Sequence, residues 1–149
     1  MQRKGPVNVR FTSAVERRLA AFVATHPGLS LSSATNRLVD ESLRMGEHPG
    51  VMFREGPGGR RAGLIGGPDV WEVVRAVRSA RAAEPELSED AVVDVVATNA
   101  DLPGRLVHVA VQYWATYPEE IDAEIDAADH AEEQAEQAWL RTRTLLGRP

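Results

Sequence analysis

Residues 7–12, VNVRFT, alternate strictly between apolar and polar side chains. A strand with this alternation would place the three apolar residues on one face and the three polar residues on the other. In the DNA major groove, Arg pairs with guanine, Asn pairs with adenine, and Thr contacts polar edges or the thymine methyl group. We therefore predict a base-reading set made of Asn8, Arg10 and Thr12.

A second set of reactive side chains is acidic and lies near the C-terminus. Pro118 starts a predicted long helix that runs to about Leu146. Positions that are alternately four and three residues apart lie on one face of this helix, and this 4-3 spacing includes Ile121, Ile125 and Trp139. Its carboxylates could bind a basic partner and imitate a nucleic-acid backbone, or they could form a solvated face. The partner-binding residues that we predict are Glu119, Glu120, Asp122, Asp126, Asp129 and Glu133.

The remaining polar residues do not combine into a catalytic or metal site. His130 has Asp126 and Glu133 at helical spacing, but such neighbours arise freely in acidic sequence, and we predict no metal ligand. The chain has no cysteine, which excludes disulfides, a thiol nucleophile and thiolate metal sites. No nucleophile, base and orienting group can be assembled, so we predict a protein that is not an enzyme, with no cofactor and no catalytic residue.

Hydrophobic spacing predicts the elements that position these residues. Helical patterns follow Thr12 as far as about Thr25 and Ser30 as far as about Arg44. The stretches VMFRE and RAGLI flank a glycine-rich turn and predict a two-stranded hairpin. Three short helices, predicted over 70–83, from 88 to 96 and from 103 onward, precede the long helix.

A single six-residue strand is not stable alone, because its backbone donors and acceptors are unpaired. The simplest partner is the same strand of a second copy, giving an antiparallel ribbon in a symmetric dimer. The alternative is that residues 7–12 form an edge strand of a larger sheet and that Ser30 is only a helix cap.

The strand, helix, Gly28-Leu29-Ser30 turn and helix over residues 7–45 resemble the ribbon-helix-helix superfamily of Arc, the methionine repressor and CopG. In that family the second helix begins against a DNA phosphate. Free N–H groups, the helix dipole and hydroxyls suit such an anion site, and flanking cations add contacts that depend on salt. The resemblance thus implies phosphate contacts from Arg3, Lys4, Ser30, Ser32 and Ser33.

Residues 49 to about 125 resemble a homeodomain-like antitoxin family, domain of unknown function 433, which occurs beside PIN-like ribonuclease toxins. The resemblance rests on the sequence at 66–71, on the helix start at Leu102-Pro103, and on residues 110–114 followed by 117–121. It implies a toxin-binding half. The chain departs from the family at 67–70, where GPDV replaces Gly-Thr-Arg-x-Pro-Val, so a role tied to that arginine is in doubt.

Charge is divided unevenly along the chain. Residues 1–46 carry seven basic and three acidic side chains, whereas residues 47–149 carry ten and nineteen. We predict a mostly α fold with two domains: a ribbon-helix-helix domain at 1–46 for DNA binding and dimerisation, and a domain at 47–149. The second domain would hold the hairpin, a small helical core and the long acidic helix.

These expectations together favour a cytoplasmic, nucleoid-associated repressor that forms a homodimer or a higher assembly. It would bind a palindromic double-stranded operator, regulate its own operon as the antitoxin of a type II pair, and neutralise a PIN-like toxin. No signal segment or membrane span is predicted. The alternatives are a stand-alone CopG-like regulator and a protein-interaction adaptor that does not bind DNA.

Overall fold

The structure is a computed structural model that describes residues 5–147. The described chain forms six helices and two strands. Their bounds are α1 Ser13–Thr25, α2 Leu31–Glu47, β1 Val51–Gly56, β2 Gly59–Leu64, α3 Val70–Ala83, α4 Glu89–Ala100, α5 Gly104–Thr116 and α6 Pro118–Leu146. The chain divides into two compact units, one that ends at Leu43 and one that begins at Arg44. Within residues 5–147 no helix combines the length and the apolar character that crossing a membrane requires.

The predicted fold class is wrong at the N-terminus, because the described chain begins with helices and not with a ribbon strand. Residues 5–12 form no strand, and the two strands of the described chain pair only with each other. Val7 is 81% exposed and Val9 is 65% exposed. Alternation predicts a strand only where one face is covered, and nothing in this unit covers these two residues.

The first unit contains α1 and most of α2, as the helical spacing predicted. The Thr12 hydroxyl accepts a hydrogen bond from the Val15 N–H at 3.4 Å and caps α1. Among the described residues of this unit, Leu19 and Ala34 are the only buried apolar side chains. So small a core is characteristic of a domain that needs further burial to be stable.

In the second unit the predicted hairpin follows the last turn of α2. The strands β1 and β2 pair antiparallel from Val51 opposite Leu64 to Gly56 opposite Gly59, around a two-residue turn of Pro57 and Gly58. After the hairpin, Asp69 and Glu72 form a capping box at the start of α3. The hairpin therefore leads directly into the central helix of the unit.

The core of the second unit lies where α3 packs against α4, α5, α6 and β2. Trp71 on α3 is only 9% exposed. The largest fully buried side chains come from β2, α3, α5 and α6: Leu64, Val70, Val73, Val107, Tyr113 and Ile121. The first turns of α6 belong to this core, because Ile121 and Ile125 are buried in it.

Candidate functional site

The N-terminal segment presents the predicted base-reading side chains to solvent. Asn8, Arg10 and Thr12 are all exposed. Thr12 has a structural role as well, because its hydroxyl caps α1. Arg17 and Arg18 on α1 are also exposed, so the cations of this unit are available to a polyanion.

The predicted phosphate site at the start of α2 is a tight serine cap. The Ser30 N–H donates to the Ser33 Oγ at 2.9 Å, and the Ser33 N–H donates to the Ser30 Oγ at 3.1 Å. Both hydroxyls therefore satisfy the helix end itself, while Ser32 is exposed beside them. Arg3 and Lys4, the other predicted phosphate contacts, lie outside the described residues.

An apolar groove of about 280 Å³ lies between Phe11, α1 and α2 in the first unit. Its rim is open, since Val39 is 52% exposed and Leu43 is 60% exposed. Thr35 and Ser42 contribute the polar part of the lining, and the apolar part comes from Phe11, Val15, Leu19, Leu38, Val39 and Leu43. Open apolar surface on a unit with so little core is typical of an association surface.

Three of the six predicted partner-binding carboxylates hold α6 on the second unit. Glu120 accepts hydrogen bonds from Arg44 Nη1 at 3.1 Å and from the Tyr113 hydroxyl at 2.9 Å. Asp122 accepts hydrogen bonds from Trp114 Nε1 and from Arg78, and these two donors, Trp114 foremost, hold its pKa below the usual value. Asp129 accepts from Arg75 Nη1 at 2.9 Å. These three residues therefore have a structural role.

The other three predicted carboxylates form a separate stripe on α6. Glu119, Asp126 and Glu133 are exposed and seven residues apart, which places them on one face of the helix. A second protein can reach all three carboxylates of this acidic stripe.

Sequence reasoning missed a polar network around Tyr113. This side chain is fully buried, and its hydroxyl accepts from Arg44 Nη1 at 2.9 Å while it donates to Glu120. Burial raises the pKa of Tyr113 above its ordinary range. The Arg44 guanidinium also lies 4.0 Å from the centre of the Tyr117 ring. Arg44 is 69 positions from Tyr113, and no sequence spacing indicates such a contact.

A second polar cluster surrounds the start of α3. Arg54 Nε donates to Asp69 Oδ1 at 3.0 Å and Arg54 Nη2 donates to the Gly67 carbonyl at 2.8 Å. Nearby, burial is the largest of the effects that raise the pKa of Glu124 to about 7. Arg54 directly follows three consecutive apolar residues in β1, VMF, and this position next to an apolar run is the sequence signal that could have indicated a half-buried arginine.

Among residues 5–147, no group of three His, Asp or Glu side chains is arranged to hold a metal ion. A ring nitrogen of His130 lies 3.0 Å from the Gln134 amide. No family model, curated protein or solved structure matches the chain.

Proposed function

We propose that this protein is a DNA-binding transcriptional repressor that works as a homodimer and contacts its operator through the first unit. One observation carries the proposal: the exposed residues Asn8 and Arg10 lie within three positions of Phe11, which lines the open apolar groove. A second copy seated at this groove would bring two sets of base-reading side chains together around a two-fold axis. Such symmetry matches a palindromic operator.

The charges of the first unit support a polyanionic partner. Arg10, Arg17 and Arg18 are exposed. Exposed arginines provide phosphate contacts and bidentate contacts to guanine. Most of the acidic residues lie in the second unit, which leaves the first unit as the part suited to DNA.

The test is Arg10→Ala, measured by fluorescence anisotropy on a duplex from upstream of the protein's own gene. Loss of one bidentate base contact costs about 1 to 3 kcal/mol, which weakens binding by about 5- to 150-fold. The matched control is Arg105→Ala, which removes an exposed arginine from the second unit. A shuffled duplex measured at two salt concentrations separates sequence-specific from electrostatic binding.

Three outcomes would contradict the proposal. The first is that Arg10→Ala and Arg105→Ala bind the upstream duplex equally well. The second is that the wild type prefers this duplex to the shuffled one by no measurable factor. The third is an absence of salt-dependent binding, which favours an adaptor that does not bind DNA.

We extend the proposal to an antitoxin role, which the resemblance of residues 49–125 to the antitoxin family supports. The acidic stripe of Glu119, Asp126 and Glu133 is exposed and suits a basic partner. The test is co-expression with a PIN-like nuclease encoded by an adjacent gene, with RNA cleavage as the readout. Inhibition of cleavage by the wild type, weakened when the stripe is changed to glutamine, supports this role. Cleavage that continues at full rate favours a stand-alone regulator.

A further inference from the structure

Hydrogen bonds from Arg75 to Asp129 and Glu132 hold the start of the C-terminal part of α6 on the second unit, and no residue of that part is buried in a single chain. Every residue from Asp129 to Gly147 is exposed, including apolar ones: Trp139 is 55% exposed, Leu145 is 84% exposed and Leu146 is 79% exposed. A helix of this length in water gains most of its stability from packing one face. The exposed apolar residues therefore point to a partner for this segment.

The exposed segment continues the 4-3 spacing that packs the start of α6 into the core. Ile121 and Ile125 are buried in the second unit, and Ala128 packs partly against the same core. The same spacing then selects a line of residues on the segment, which we call the tail seam: Ala128, Glu132, Ala135, Trp139, Thr142 and Leu146.

The side chains of the tail seam are complementary in size to those of the tail seam in a second copy that runs antiparallel. Its small residues, Ala128 and Ala135, lie toward the core, and its large residues, Trp139 and Leu146, lie toward the C-terminus. If a second copy runs antiparallel, Ala128 faces Leu146 of that copy and Ala135 faces Trp139. Each large side chain then meets a small one, as close packing requires.

The polar layer between these pairs fits the same register. Glu132 accepts a hydrogen bond from Arg75 Nη1 of its own chain at 2.9 Å, and it would come level with Thr142 of the second copy, whose hydroxyl donates to the Ala138 carbonyl of its own helix. A polar pair inside an apolar seam costs stability but fixes register. The spacing thus selects one antiparallel alignment, with its two-fold axis near Gln137.

Charge is also complementary in this alignment. Residues 126–136 contain five carboxylates and no Arg or Lys, whereas residues 137–147 contain Arg141 and Arg143 and no carboxylate. The Arg143 guanidinium lies 5.0 Å from the centre of the Trp139 ring, so it lies beside the seam. In the second copy Arg143 would come opposite Asp129. Parallel pairing would instead align acid with acid and Trp139 with Trp139.

We propose that two copies of this protein associate through an antiparallel pairing of α6 over residues 128–146. This pairing needs no DNA and no contribution from the first unit, so it goes beyond the proposed function. It also leaves the acidic stripe of Glu119, Asp126 and Glu133 on a different face of the helix.

The absence of cysteine allows the pairing to be tested with single-cysteine variants of the full chain. Ala138 flanks the seam next to the two-fold axis, so Ala138→Cys should be linked to its own copy by a short thiol-reactive cross-linker. Gln137 lies at the same height on the opposite side of the helix, and Gln137→Cys is the matched control. We expect Ala138→Cys to form the covalent dimer at least about ten times faster, because the reacting thiols are held close together.

Direction is tested by mixing two variants. Ala131 of one copy lies beside Leu145 of the other in the antiparallel alignment, but neither lies near its own equivalent. Ala131→Cys and Leu145→Cys should therefore each remain monomeric on a denaturing gel when treated alone. Their mixture should give a covalent dimer.

The role of charge is tested in the Ala138→Cys background. Arg143→Glu should slow cross-linking several-fold, because it places a carboxylate opposite Asp129. Arg143→Gln removes the positive charge without reversing it, so it should slow cross-linking less than Arg143→Glu does.

Equal rates for Ala138→Cys and Gln137→Cys would overturn the proposal, as expected if a different protein covers the tail seam. Cross-linking of Ala131→Cys alone would overturn it in favour of another register. These results are independent of DNA affinity. A chain that cross-links as expected but shows no operator preference would contradict the proposed function alone, and the reverse result would contradict only the pairing.

Discussion

Glu124 shows what burial does to a single carboxyl in this molecule. It lies half-buried on α6, and its Oε2 has no hydrogen-bond partner among the described residues. Burial raises its pKa from an ordinary value of 4.5 to about 7; the charges of Glu120 and Asp69 raise it too, and Arg61 opposes them. The folded protein therefore holds a proton here that the unfolded chain releases near pH 4.5.

This proton makes stability depend on pH. Between pH 4.5 and pH 7 the folded state binds more protons at Glu124 than the unfolded state, so the free energy of unfolding falls as the pH rises. The contribution is complete below pH 4.5 and is lost above pH 7. Allowing for solvent screening at a half-exposed group, we expect a change on the order of 1 kcal/mol.

Glu124→Gln should remove this part of the pH dependence. Urea unfolding at pH 4.5 and pH 7.5 measures it, with the exposed Glu119→Gln as the control. The stability of Glu124→Gln relative to wild type should increase with pH. An identical pH profile for wild type and Glu124→Gln would contradict the assignment.

A second prediction concerns a single group, the hydroxyl of Tyr113. Tyr113→Phe removes a buried hydroxyl that accepts from Arg44 and donates to Glu120. Loss of these charge-assisted bonds should lower the free energy of unfolding by about 1 to 3 kcal/mol, as measured by urea unfolding. Tyr117→Phe is the matched control, since the Tyr117 hydroxyl makes a longer bond of 3.4 Å to Glu47 and should cost less. An equal loss for both variants would show that the network adds little.

Gly50 controls how α2 is connected to the hairpin. Residues that carry a side chain rarely adopt its backbone φ of +106°. An added Cβ would also lie 3.3 Å from Leu106 Cδ2 on α5. Gly59 in the hairpin turn has a similar φ of +101°, but a Cβ there would meet nothing within 4 Å. Comparison of Gly50 with Gly59 therefore separates the cost of backbone strain from the cost of side-chain packing.

We therefore expect Gly50→Ala to destabilise the protein more than Gly59→Ala. The strain common to both should cost about 1 to 2 kcal/mol, and the contact with Leu106 should add to it only at Gly50. Thermal and urea unfolding of the two variants measure the difference. Equal losses would mean that the space beside Gly50 expands at no cost.

At the scale of the whole molecule, the helices and the hairpin were predictable because each depends on the pattern of residues close together in sequence. The 3.6-residue spacing and Pro118 marked α6, and the glycine-rich turn marked β1 and β2. The strand at 7–12 was wrongly predicted. Alternation of apolar and polar residues favours a strand when another element packs on the apolar face, and the sequence does not show whether such an element is present. The engaged carboxylates Glu120, Asp122 and Asp129 were missed as structural residues because their partners lie at least seven positions away.

The open groove of the first unit makes a prediction for the assembled protein. Val39→Glu places a charge on apolar surface that is 52% exposed in one chain, so the fold of the unit should tolerate it. In a homodimer that buries this surface the charge would be desolvated, which is costly. We expect operator affinity to fall by at least about tenfold. Val95→Glu, at a 38% exposed position on α4, is the control; equal affinity for both would argue against association at the groove.

Because α6 is one uninterrupted helix from Pro118 to Leu146, its buried beginning sets the rotational phase of everything beyond it. Each added residue turns the following segment by about 100° and advances it by about 1.5 Å. An alanine inserted after Ala128 would leave Ile121 and Ile125 in place while every later side chain pointed in a new direction. The buried start of α6 therefore fixes which side chains of the exposed segment face a binding partner.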